Sequence, residues 1–124
     1  LQLILKLMLT EKEVKSLREE LQTAKNPLFL YDSDGDGLSA FLLLYKINRE
    51  GKGYRVATSS KVDMNLFRKV EEFNPDKIFI LDMPMLDQEF VDKVKRPIFW
   101  IDHHSPQEIK KVNYYNPCIK DPKA

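Results

Sequence analysis

Three short apolar runs in this chain end on the same residue. Leu28-Phe29-Leu30-Tyr31 is followed by Asp32, Ile78-Phe79-Ile80-Leu81 by Asp82, and Ile98-Phe99-Trp100-Ile101 by Asp102. Asp34 and Asp36 follow the first run in the loop Asp-Ser-Asp-Gly-Asp-Gly (32–37), and His103-His104 follow Asp102 directly. A short apolar run bounded by turn residues reads as a buried strand. Parallel strands bring their C-terminal ends to one edge of a sheet, where ligands bind. Five carboxylates gathered there repel one another strongly, and a divalent cation removes that penalty. Carboxylate oxygens with imidazole suit Mn²⁺, or Mg²⁺ as the alternative. The lack of thiolates argues against a structural zinc site.

Each piece has a plainer reading. A lone Asp after a strand is ordinarily a turn former or helix N-cap, and a lone His is ordinarily a structural hydrogen-bonder. The coincidence of three strand-end aspartates with a histidine pair is what favours a metal site. A calcium loop is the sharpest rival, because the 32–37 loop places acids at positions 1, 3 and 5 and Gly at position 6. The match then fails. Position 12 is Leu43, position 8 is Ser39, and a strand precedes the loop where a helix is required.

The elements that must position these residues alternate. Thr10 to Glu13 has the form of a capping box, and Val14, Leu17, Leu21 and Ala24 then recur at helical spacing, predicting a helix that ends near Asn26-Pro27. The apolar run from Leu28 is followed by a helix over about Leu38–Arg49, stopped by Gly51 or Gly53. A second strand is expected over Tyr54–Thr58. A second helix follows, with Asp63 as N-cap and Met64, Leu66, Phe67 and Val70 on its apolar side. Lys77–Leu81 is the third strand, Asp87 to about Lys95 a short helix, and Pro97–Ile101 the fourth strand. Beyond Asn113 the periodicity is weak. The expected fold is therefore α/β: a parallel sheet of about four to five strands with helices on both faces, joined by right-handed crossovers.

Composition bounds the rest. At 124 residues the chain is one domain, with Lys+Arg 20 against Asp+Glu 19, a net charge of +1, so overall charge points to no polyanionic partner. Lys93, Lys95, Arg96, Lys110 and Lys111 are read as solvated surface, with a local basic patch near the site as the alternative. Glu19-Glu20 and Glu71-Glu72 are likewise read as solvated faces. The single Cys118 forms no internal disulfide and fits a reducing, cytoplasmic setting. The apolar stretch Leu1–Leu9 is too short to span a membrane and lacks a cleavage site for secretion. Two readings stay open for it: an extension ahead of a natural start at Met8, or a segment packed in the core or in a dimer contact.

At this point the motifs match a family. Asp32-Ser-Asp-Gly-Asp-Gly-Leu-Ser39, an isolated strand-end Asp82, and Asp102-His-His104 resemble motifs I, II and III of the DHH phosphoesterase superfamily. The Asp-rich first motif, in place of a His-containing one, resembles the RecJ-like branch and its archaeal nucleases. The resemblance covers roughly Leu28 to Ser105 and implies a Rossmann-like DHH domain. It assigns Asp32 and Asp34 to one Mn²⁺, Asp36 and His103 to a second, and Asp82 to both. His104 is placed beside the scissile phosphate, Asp102 orients the histidines, and Ser39 donates to phosphate at a helix N-terminus. Two such ions, about 3.5–4 Å apart, activate a water for in-line displacement.

The implied division is an N-terminal helix over 1–26 and a partial DHH domain over 27–124. The family's fourth-motif aspartate and C-terminal substrate-binding domain are absent, and Asp121 lies too near the histidines to replace that aspartate. Two readings are expected for the missing part: a second polypeptide that completes the site, or a fragment of a longer gene. The implied activity is an Mn²⁺-dependent exonuclease on single-stranded DNA or RNA. Two alternatives stand beside it: an inactive scaffold associating with GINS and replication proteins, and a small-molecule phosphatase or pyrophosphatase.

Overall fold

A computed structural model describes residues 9–32, 40–42, 44–46, 48–56 and 61–119. The first element, α1 (Glu11–Thr23), opens on the expected capping box: the Thr10 hydroxyl accepts from the Glu13 N–H, and the Glu13 carboxylate accepts from Thr10. The helix stops at Thr23, four residues before Pro27. Asp76 takes the N–H groups of Lys25 (2.7 Å) and Asn26 (2.8 Å), pulling both out of helical geometry. The buried amide of Asn48 donates to the Ala24 carbonyl and to that of Leu21, which also accepts the Ala24 N–H, and so closes the end of the helix.

Strand β1 (Leu28–Asp32) lies in the sheet's interior, with β2 (Lys52–Val56) on one side and β4 (Ile78–Leu81) on the other. Beyond β4 come β6 (Ile98–Ile101) and β7 (Asn113–Tyr115), giving the order β2-β1-β4-β6-β7 with every pairing parallel. A small parallel pair, β3 (Lys61–Val62) and β5 (Met85–Leu86), stands apart from this sheet. Between these strands lie a 3₁₀ turn at Met64–Leu66, α2 (Phe67–Phe73) and α3 (Gln88–Val94). Asp63 caps the 3₁₀ turn through the Asn65 N–H at 3.0 Å, so the second helix begins as 3₁₀ before it becomes α. Residues 40–42 and 44–46 are helical; the remainder of the expected helix over about 38–49 lies outside the described residues.

Strand alternation sorts the core into two layers. Leu28, Leu30, Ile78, Ile80, Ile98 and Trp100 pack with the side chains of α2 and α3, while Phe29, Phe79, Leu81, Phe99 and Ile101 pack with α1, Ala40 and Leu44. Register explains the centre of the second layer. Phe29 pairs with Phe79 and Phe79 with Phe99, and their rings stack in sequence at 5.3 and 5.1 Å. Each such ring, taken out of water, contributes on the order of 2–3 kcal/mol.

Two expectations shift. The second strand occupies Lys52–Val56 rather than Tyr54–Thr58, whose last two residues lie outside the described residues. Its ladder begins early, with Lys52 N–H donating to the Pro27 carbonyl at 3.0 Å, and the apolar pattern misses this polar start. Gly51 makes the turn before it at φ +82, the left-handed region that favours glycine. Gly53 sits within the strand, where a Cβ would come within 2.4 Å of the Phe41 ring. The fifth strand, β7, gives the upper number of the expected four to five and begins at Asn113, where the sequence pattern shows no strand. It is a three-residue edge strand whose burial changes at every residue, so it has no apolar run to reveal it.

Candidate phosphoesterase site

The register that stacks the phenylalanines also aligns the acids. Tyr31, Leu81 and Ile101 share one row across β1, β4 and β6, so Asp32, Asp82 and Asp102 each come one step later at the same edge. In chain order the sheet runs outward from β1 to β2, then reverses across β1 to β4. Crevices form at the C-terminal ends of strands where such a reversal occurs, and Asp32 and Asp82 flank it.

Asp82 leaves its strand abruptly. Its φ is +57 and it is 3% exposed. Aspartate tolerates the left-handed region better than most residues, and neighbouring bonds hold it there. Its N–H donates to the Ile101 carbonyl at 2.9 Å, and the buried Trp100 indole N–H donates to the next carbonyl, that of Met83, at 2.8 Å. His103 reaches across from the end of β6, with Nε2 2.9 Å from Asp82 Oδ1. His104 stacks on His103 at 4.7 Å between ring centroids. Asp82, His103 and His104 each present a ligand atom, and these atoms lie within 4.8 Å of one another.

Asp102 is buried and grips His104 twice. Its Oδ1 is 2.6 Å from His104 Nδ1, and its Oδ2 accepts the His104 backbone N–H at 3.1 Å. Burial lowers the His104 pKa, but the bond to Asp102 and the charges of Asp102, Asp82 and Asp32 outweigh it, so the value lies above the usual 6.5. That influence places Asp32 in the same electrostatic neighbourhood. Asp34, Asp36 and Ser39, the first-motif residues expected beside Asp32, lie outside the described residues, as do Asp121 and the stretch 1–8.

The donor set fits a divalent cation. One buried carboxylate oxygen and two imidazole nitrogens from the ends of two adjacent strands form a mixed oxygen–nitrogen cluster, the type that binds first-row divalent ions. A family match covers the same residues: the DHH family, N-terminal domain, over 28–124. The chain belongs to the DHH family. Its members are generally phosphoesterases that depend on metal, so the cluster at Asp82, His103 and His104 lies in a phosphoester-hydrolase domain. A search of curated proteins returns no match.

Within the suggested basic patch, Arg96 does not adjoin this DHH site. Arg96 lies ahead of β6 and is tied to Glu71 (2.7 Å), Asn74 and the Pro75 carbonyl, at the N-terminal end of the strands. Lys95 also precedes β6, while Lys110 lies in the β6–β7 connection with its backbone bonded to Gln88 at the start of α3. Glu71 and Glu20 are also more than solvated acids, since Glu20 pairs with Lys77 at 2.8 Å. Among the described residues no helix is long and apolar enough to cross a membrane.

Residues beyond the motifs brace the site. Gln107 uses its side-chain amide like a strand backbone, accepting from Leu86 N–H and donating to Leu86 O. Tyr114 stacks flat on Trp100 at 4.2 Å. Asn116 bonds to the His104 carbonyl at 2.8 Å. These residues gave no periodic or motif signal; an Asn-Pro pair such as Asn116-Pro117 marks only a turn.

Proposed function

We propose that this chain is an Mn²⁺-dependent phosphodiesterase that degrades single-stranded DNA or RNA by in-line attack of water. The observation that carries the reading is the convergence of Asp82, His103 and His104 at the reversal point of the sheet. The Asp-type first motif supports a nucleic-acid substrate over pyrophosphate. When bound, the cation supplies charge neutralisation on the phosphoryl oxygens and activation of the attacking water.

The residues divide the remaining work. Asp82 and His103 would hold metal, with Asp32, Asp34 and Asp36 completing the ligand set for two ions. Asp102 accepts the hydrogen bond from His104 Nδ1–H and so turns Nε2 towards the phosphate. The raised pKa of His104 keeps the ring protonated to higher pH, suiting it to a non-bridging phosphate oxygen or to a leaving oxygen that gathers charge. Ser39 adds a hydroxyl donor to the phosphate.

The test is calorimetric titration with Mn²⁺ and separately with Ca²⁺, on the wild-type chain and on Asp82→Ala, followed by assays with a single-stranded oligonucleotide and with pyrophosphate. The expected result is Mn²⁺ binding that disappears in Asp82→Ala, together with nucleotide release. Binding that prefers Ca²⁺ and ignores Asp82 would overturn the reading in favour of a calcium loop at 32–37. Turnover of pyrophosphate alone would reassign the substrate.

A further inference from the structure

The β6–β7 ladder ends where the site begins. Its last pair is Ile101 with Tyr115, and one further bond, Asp102 N–H to the Tyr115 carbonyl at 3.1 Å, closes it. The chain then turns into His103-His104 on one side and Asn116-Pro117 on the other. Across that gap the Asn116 side chain takes the place of the next rung. Asn116 is 3% exposed, its Nδ2 donates to the His104 carbonyl (2.8 Å) and the Tyr114 hydroxyl (3.2 Å), and its Oδ1 accepts the Cys118 N–H at 2.8 Å. The amide orientation is determined: a flip would set its oxygen against the His104 carbonyl and its NH₂ against the Cys118 N–H.

We propose that Asn116 is a positioning residue of the site. By fixing the His104 carbonyl, it sets the backbone from which both imidazoles project, keeping His104 Nδ1 on Asp102 and the two rings stacked. The plainer role, support of the 3₁₀ turn at Pro117–Ile119 through Cys118, uses only Oδ1. The bond to His104 uses only Nδ2, so the two roles separate by substitution. Asn116→Asp keeps the size and the acceptor for Cys118 but removes the donor. The consequence for metal affinity rests on the proposed cation site; the consequence for the His104 ring does not.

The experiment compares Asn116→Asp and Asn116→Ala with Gln88→Ala. Gln88 makes two comparable bonds to the Lys110 backbone in the connection between β6 and β7 and, among the described residues, bonds only to Lys110 and Asp92 through its side chain. Two quantities are read: the His104 Nδ1–H proton resonance in the metal-free protein, and Mn²⁺ affinity by calorimetry. Both Asn116 variants should lose the Nδ1–H resonance to exchange and bind Mn²⁺ about 10–100-fold more weakly. Gln88→Ala should lower the melting temperature and leave both quantities unchanged. An Asn116→Asp protein matching wild type in both would overturn the inference, as would an equal affinity loss in Gln88→Ala. If the wild-type protein binds no Mn²⁺, the cation reading falls, and the His104 resonance alone decides the role of Asn116.

Discussion

His104 and Asp102 are joined twice, ring to carboxylate at 2.6 Å and backbone N–H to carboxylate at 3.1 Å. A side chain two residues back thus fixes both the position of the histidine and the tautomer of its ring. The bond occupies Nδ1, leaving Nε2 for the ligand or substrate.

Asp102→Asn should therefore lower the His104 pKa and reduce activity by roughly 10–100-fold. The stability signature has a defined sign. A pKa raised above 6.5 in the folded state contributes stability that is complete below 6.5 and is lost as pH rises through the folded value. Melting temperatures of the metal-free protein should therefore fall across that window. In Asp102→Asn the fall should be smaller.

Asp82 combines a buried carboxylate with left-handed backbone, so its replacements should differ. Asp82→Asn tolerates that backbone and should fold with near wild-type stability while losing divalent-ion binding. Asp82→Ala should lose binding and be less stable than Asp82→Asn by roughly 1–2 kcal/mol, the cost of left-handed backbone at an ordinary residue. Denaturant titration of both variants checks this ordering.

Trp100→Phe removes the donor to the Met83 carbonyl and part of the stack on Tyr114. A smaller buried ring and an unpaired buried carbonyl should together cost about 2–4 kcal/mol. Because that bond holds the residue after Asp82, Mn²⁺ affinity should fall as well, measurable by calorimetry on the folded variant.

Asp76 joins the exit of α1 to the start of β4 through the N–H groups of Lys25 and Asn26. Partial burial raises its pKa, but these bonds outweigh it and the value lies below the usual 3.8. Its stabilisation is therefore present above 3.8 and is lost as pH falls through the folded value. Asp76→Ala should cost about 1 kcal/mol near neutral pH, a modest figure because the carboxylate is exposed. The difference from wild type should narrow in acid, as followed by thermal melts over a pH series.

What the sequence determined by itself was local: which segments are buried on both faces, and which polar residues terminate them. The runs 28–31, 78–81 and 98–101 are apolar without alternation, as strands covered on both sides must be, and an aspartate ending each is visible without a structure. The capping box at Thr10 is equally local. Tertiary structure decided whatever depends on partners distant in the chain. The order β2-β1-β4-β6-β7 sets Asp32 beside Asp82 and His103 within reach of it, and no residue encodes that order alone, because parallel strands pair only after long crossovers. The early end of α1 depends on Asp76 and Asn48, the place of Arg96 on Glu71 and Asn74, and β7 on the edge that β6 offers. Asn116 shows the limit most clearly. In sequence it marks a turn, and only when β7 lies beside β6 does its amide meet the carbonyl of His104.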